Sequence, residues 1–227
     1  MDYVLIPGAG GRAWYWHVIA ARLIDRGHLV SAVELPADDD SKGRPDNAQA
    51  VLNAVGNSSG VVIVAASLGA FTAALVVEPL KPAAVVLVNP MIPRSGETPG
   101  AWWGNTGAIE ARHVHASRSG YPAELDPKIY MVHDVPPEVL ATATATATAK
   151  GEQSPRTFRD PCTFSSWPEV ITVVAGRDDP FFPVEFQRQL ARERLGVEPV
   201  IVPGGHLVAL SKPDELTAAI LAATDGL

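Results

Sequence analysis

Apolar residues along this chain gather in short runs, and the polar residues collect between them. The runs at 3–6, 29–35, 61–66, 83–88, 170–175 and 198–202 are too short for helices and rich in Val, Ile and Leu. They predict about six strands, and VVIVAA at 61–66 and AAVVLV at 83–88 show no alternation at all, the mark of a strand buried on both faces. Between them the spacing turns helical. Trp14, Val18, Ala21 and Leu23 or Ile24 recur over 14–26, with Gly27 as a stop. Residues 47–55 predict a short helix, 68–77 a helix stopped by Pro79, 184–195 an amphipathic helix and 214–223 a last one. Strand and helix in alternation imply an α/β domain, with a mostly parallel sheet and helices on both faces.

The alternation breaks from 91 to about 164. The segment is rich in Pro, Gly and aromatic residues, among them Trp102, Trp103, Tyr121 and Tyr130, and reads as irregular until a helical stretch beginning near Glu138. So long an insertion inside a compact domain predicts a lid or cap. It divides the chain into a core of 1–90 and 165–227 and a cap of 91–164. The run ATATATATA at 141–149 has no decisive period, but Pro136-Pro137-Glu138 before it and Lys150-Gly151 after it resemble helix ends, so a helix is expected.

Composition narrows the function classes. The 227 residues suit one sizeable domain, and a net charge of −7 without clustered Lys and Arg argues against a nucleic-acid partner. Cys162 is the single cysteine, so no internal disulfide and no Cys-based metal spacing is available. His113-x-His115 is read as a solvated pair rather than a metal site, and no metal or cofactor is expected. The chain enters its first strand directly and holds no run of about 20 apolar residues, so a cytoplasmic protein without a membrane span is expected, as monomer or homodimer.

The strand at 61–66 ends abruptly at Ala65-Ala66-Ser67-Leu68-Gly69, and a helix follows at once. A serine on so tight a corner stands exposed above the sheet at the positive end of a helix, which suits a nucleophile whose reaction creates an oxyanion. It also suits a plain N-cap, and Ala65 stands where the GxSxG pattern has its first glycine. Serine needs a base, and the base needs an orienting acid. Asp178 and Asp179 follow one later strand and His206 follows the last. In a parallel sheet these carboxyl ends share one edge, and the order Ser, Asp, His is that of the α/β-hydrolase fold. A competing reading starts from Gly8-Ala9-Gly10-Gly11-Arg12-Ala13, which fits the GxGxxA of a dinucleotide loop, with Glu34 near a ribose-binding position. The later aspartate and histidine are not needed by such a fold.

With these residues in view, the chain resembles the α/β-hydrolase superfamily, and closely the branch of plant methylesterases and hydroxynitrile lyases. PGAGGRAWYW at 7–16 resembles that branch's HGAxHGxWxW segment, ASLG its elbow, DPFFPVEFQR at 179–188 its acid loop and GHLVALSKPDEL at 205–216 its histidine loop. The resemblance implies a catalytic triad of Ser67, His206 and Asp179, rather than Asp178. It also implies an oxyanion hole from the backbone N–H groups of Ala9 and Leu68. Two departures stand out: Pro7 replaces the usual histidine before Gly8, and Ala66 replaces a bulkier neighbour of the nucleophile. The pocket is expected to draw on Gly8 and Gly10, on Leu207 beside the histidine, and on Trp102, Trp103 and Tyr130 of the insertion. Leu207 stands where the lyases carry lysine, which disfavours cyanohydrin cleavage. The expected activity is hydrolysis of a small or medium apolar carboxylic ester, and the alternative is a lyase, cyclase or acyl-transfer step on a biosynthetic intermediate.

Overall fold

The most apolar strands lie at the centre of the sheet. The computed structural model describes residues 1–146 and 153–227. Among these, β1 (Asp2–Ile6), β2 (Leu29–Ala32), β3 (Val62–Ala66), β4 (Ala84–Val88), β5 (Ile171–Gly176) and β6 (Val200–Val202) form one sheet in the order β2-β1-β3-β4-β5-β6. Every neighbouring pair is parallel. β3 and β4 are buried at every position, whereas Leu29 and Val200 on the edge strands are exposed. The chain builds outward from β1 to β2, then crosses back to place β3 on the other side of β1. That reversal opens a crevice beyond the carboxyl ends of β1 and β3, the place where parallel sheets bind ligands.

Several boundaries differ from those the pattern predicts. The second strand stops at Ala32, because Leu35 N–H bonds Gly11 O (2.8 Å) and the chain bends towards the glycine loop. The first helix opens with a 3-10 turn at Ala13–Trp16 before α1 (His17–Ile24). α2 (Arg44–Val55) begins three residues earlier than expected, with Pro45 in its first turn and Asp46 accepting the Gly43 N–H at 2.9 Å. α3 (Gly69–Leu80) runs past Pro79, which sits in the last turn where its missing N–H costs one bond; Lys81 then ends the helix in the left-handed region.

The segment after β4 is largely helical, which corrects its reading as irregular. It holds α4 (Pro99–Thr106), α5 (Ala108–Ser119), α6 (Pro127–Tyr130), α7 (Pro137–Thr146) and a 3-10 turn at Pro155–Phe158. The helices are short, and their punctuation disguised them. Pro opens α4, α6 and α7, while Gly107 and Gly120, both at positive φ, end α4 and α5. Thr98 and Asp126 cap α4 and α6 through Ala101 N–H (3.1 Å) and Lys128 N–H (2.8 Å). α7 includes 141–146 of the Ala-Thr run, and 147–149 lie outside the described residues.

The chain closes with α8 (Val184–Leu195), α9 (Val208–Ser211) and α10 (Pro213–Ala223). The two-residue period of the strands feeds two cores. Val4, Ile6, Ile63, Val85 and Val173 meet α2, α3 and α8, whereas Tyr3, Leu5, Val62, Val64 and Val86 meet α1 and α10. No helix among the described residues is long and apolar enough to cross a membrane.

Candidate active site

Ser67 occupies the corner between β3 and α3 with φ at 48°, a region that costs a non-glycine residue of order 1–3 kcal/mol. The turn is held from both sides: Ser67 N–H donates to Val88 O (2.9 Å), and Ser67 O accepts Met91 N–H (3.0 Å). Gly69 cannot be larger, since a Cβ there would lie 2.5 Å from Pro7 O. Gly8 approaches almost as closely, with an added Cβ 3.1 Å from Ser67 Cβ. Ala65 is different. It pairs with Ile6 and Leu87 and packs within the core beside Leu68, so a methyl group is accommodated where the GxSxG pattern has glycine.

The ends of three strands converge on this corner. His206 Nε2 lies 3.1 Å from Ser67 Oγ, and His206 Nδ1 lies 2.8 Å from Asp179 Oδ2. Asp179 Oδ1 accepts the N–H groups of Phe181 (2.8 Å) and Phe182 (3.0 Å), so the carboxylate is fixed before it meets the imidazole. The rings of Phe181 and Phe182 stand edge-on to His206 at 4.8 and 5.1 Å, and His206 is only 3% exposed. Asp178 points elsewhere. It bonds Arg177 and Gly204 N–H, and the Arg177 guanidinium holds its carboxyl below the usual range.

A cavity of about 190 Å³ lies over Ser67 and His206. Pro7, Gly8, Ala9, Ala66, Met131 and Leu207 supply its apolar wall, with Arg12 and Tyr15 on its flank. Burial pushes the Tyr15 phenol well above its ordinary range, against a partial offset from a backbone hydrogen bond to Ala209, so Tyr15 stays neutral. The N–H groups of Ala9 and Leu68 have no acceptor among the described residues.

Four residues expected in the pocket are absent from this wall. Gly10 turns its N–H to Gln153 Oε1 at 3.1 Å. Trp102 is fully buried, with Nε1–H donating to Ile92 O (2.9 Å) and its ring packed on Phe182 and Phe186. Trp103 packs behind Phe181 and Phe182, and buried Tyr130 donates its hydroxyl to Pro122 O. Trp102 and Tyr130 find internal acceptors for their polar tips and belong to the core, and partly buried Trp103 packs against it. Gly8 and Leu207 do line the cavity.

The glycine loop also finds support without the histidine that Pro7 replaces. Glu34 Oε2 accepts Ala13 N–H (2.7 Å) while Glu34 Oε1 and Asp38 Oδ2 accept from Arg12 (2.9 and 3.2 Å). Glu34 therefore braces the loop that it would serve as a ribose ligand in a dinucleotide fold. His113 is exposed and His115 contacts Ser119 Oγ, and no group of three or more His, Cys, Asp or Glu is arranged to hold a metal among the described residues. Sequence reasoning missed Tyr15, Arg12 and Met131 in the wall, and Asn89 and Gln187 beneath it. An Asn-Pro pair closing a buried strand is the one signal that could have pointed to Asn89.

Known proteins share this architecture. The chain is 31% identical over 109 residues to methylesterase 9 of Arabidopsis thaliana, a match spanning 43% of each chain and so less than half of that relative. Among solved structures, polyneuridine aldehyde esterase superposes with a TM-score of 0.77 at 18% identity, covering 99% of both chains. A methylesterase from Arabidopsis gives 0.75 at 17% over 100% of both. A pyrethroid hydrolase from Sphingobium faniae gives 0.72 at 19% over 100% of this chain and 98% of its own. At those identities the likeness is one of fold. The profile of the alpha/beta hydrolase family matches residues 3–219, nearly the full length, and the chain belongs to that family.

Proposed function

We propose that this protein hydrolyses carboxylic esters with a short acyl group through an acyl-enzyme on Ser67. The observation that carries the reading is the unbroken relay from Ser67 Oγ to His206 Nε2 and from His206 Nδ1 to Asp179, at 3.1 and 2.8 Å. His206 takes the Ser67 proton as Oγ attacks the ester carbonyl, then returns it to the departing alkoxide. Asp179 holds the imidazole in the tautomer that leaves Nε2 free to accept. The N–H groups of Ala9 and Leu68 receive the oxyanion, worth roughly 3 kcal/mol per donor in such sites. Water, deprotonated by the same histidine, then attacks the acyl-enzyme and releases the acid.

Two further observations support ester chemistry. The relatives are named for it: methylesterase, esterase and pyrethroid hydrolase. The wall is mostly apolar, and its 190 Å³ falls below the ~300 Å³ at which drug-sized sites begin, which favours a small acyl group. In this reading 91–164 act as a cap, since Met131 closes the cavity and Asp134 accepts Gly205 N–H at 2.7 Å.

Release of p-nitrophenol from acetate and butyrate esters tests the proposal directly. Ser67→Ala is expected to lower kcat by roughly 10⁴-fold or more with the fold intact. A wild type no faster than buffer, and unlabelled by a fluorophosphonate, overturns it. Labelling of Ser67 without hydrolysis points instead to a lyase, cyclase or acyl-transfer step on the same nucleophile.

A further inference from the structure

We infer that Asn89 and Gln187 form a positioning pair that sets the reach of His206 towards Ser67 and the orientation of Asp179, an inference resting on the triad reading above. Asn89 follows β4 directly, is 1% exposed and has φ at 43°, a conformation asparagine tolerates better than most side chains. Its amide is fully used. Nδ2 donates to Gly205 O (3.0 Å) and His206 O (2.9 Å), and Oδ1 accepts Gly176 N–H (2.7 Å) and Gln187 Nε2–H (3.3 Å). One side chain thus ties the histidine loop to the end of β5, three residues before Asp179. Because Ser67 N–H bonds Val88 O, the residue before Asn89, the nucleophile's turn and the histidine's loop are referred to the same strand end.

Gln187 extends the tie to the acid. From α8 its Nε2 donates to Phe182 O (2.8 Å) and lies 3.5 Å from Asp179 Oδ2, the oxygen that holds His206. Its Oε1 is buried with no donor among the described residues. An apolar side chain of the same shape would fill this space without that desolvation cost, so packing alone does not account for glutamine here. What glutamine adds is a donor aimed at the Asp179–Asn89 junction. Displacing a reacting group by 1 Å can cost about 10²-fold in rate, and the backbone carbonyls of Gly205 and His206 have their side-chain restraint in Asn89.

The test uses the full chain, with Gln187→Met and Asn89→Asp. Methionine keeps the volume and removes the donor; aspartate keeps the shape and turns an oxygen towards two carbonyls. Both are expected to lower kcat for p-nitrophenyl acetate, by up to about 10²-fold, with KM unchanged. Should Asn89→Asp fail to fold, Gln187→Met decides. An unchanged kcat in folded Gln187→Met overturns the inference, as does a loss shared equally by kcat and KM or one that tracks only the fraction of Ser67 labelled by fluorophosphonate. A wild type that neither hydrolyses nor labels removes the triad reading and this inference together.

Discussion

At the scale of single residues, adjacent side chains of the same type are separated by what their backbone offers them. Asp179 turns inward onto two amides and His206, and Asp178 turns outward onto Arg177 and Gly204. Asp179→Asn is therefore expected to lower kcat by about 10⁴-fold through the wrong imidazole tautomer, and Asp178→Asn to leave kcat near wild type; equal losses in p-nitrophenyl acetate assays would contradict the assignment. Ser67, Asp179 and His206 could be grouped from the sequence because each lies within four residues of the end of a predicted strand, and the structure brings them within hydrogen-bond distance. Trp102, Trp103 and Tyr130 do not line the cavity, and as letters a packed aromatic and a pocket aromatic look the same. Asn89 and Gln187 were illegible for another reason: their partners are backbone atoms and each other, which come close only once β4, β5, α8 and the histidine loop are assembled.

At the scale of elements, strands were easier to read than helices. An unbroken Val-rich run has one explanation, whereas three of the four short helices after β4 begin with Pro and two end at Gly, which as sequence reads as loop. What anchors these helices to the sheet domain is equally hidden. Glu97, just before α4, forms a paired contact with Arg194 near the end of α8 (2.5 and 3.1 Å), both side chains at most 5% exposed. Burial alone would raise the Glu97 carboxyl, but Arg194, Asn105 and Arg94 N–H outweigh it and hold the pKa below its ordinary 4.5. A depressed folded-state pKa means that the contribution to stability is present above the unfolded value and is lost as pH falls through the folded one. The melting temperature is accordingly expected to drop on acidification below about pH 4.5, with a shallower slope in Glu97→Gln. At neutral pH Arg194→Ala is expected to cost about 3–5 kcal/mol in urea unfolding, since it strands a buried carboxylate; a loss below about 1 kcal/mol would place the pair in solvent.

At the scale of the whole molecule, topology decides where chemistry can occur and the side chains beside Ser67 decide how much fits. The reversal of strand order between β1 and β3 brings the glycine loop over the Ser67 turn, and β5 and β6 deliver Asp179 and His206 to the same edge. That much follows from runs of apolar residues and the rule of parallel crossovers. The cavity volume does not, because Tyr15 enters from the 3-10 turn before α1 and Met131 from the residue after α6, and no periodicity records which way either side chain points. A 190 Å³ chamber with Ala66 at its wall sets a size limit that chain length can probe. Hydrolysis is expected to fall from acetate through butyrate to octanoate esters, with each poorly accommodated methylene costing about 1–3 kcal/mol in kcat/KM. Ala66→Leu adds bulk beside Ser67 without touching the relay, so it is expected to depress butyrate turnover more than acetate turnover. Equal losses on both esters would mean that the larger side chain disturbs the turn itself, and an octanoate ester cleaved as fast as acetate would mean that the acyl chain leaves this chamber along a path that Ala66 does not border.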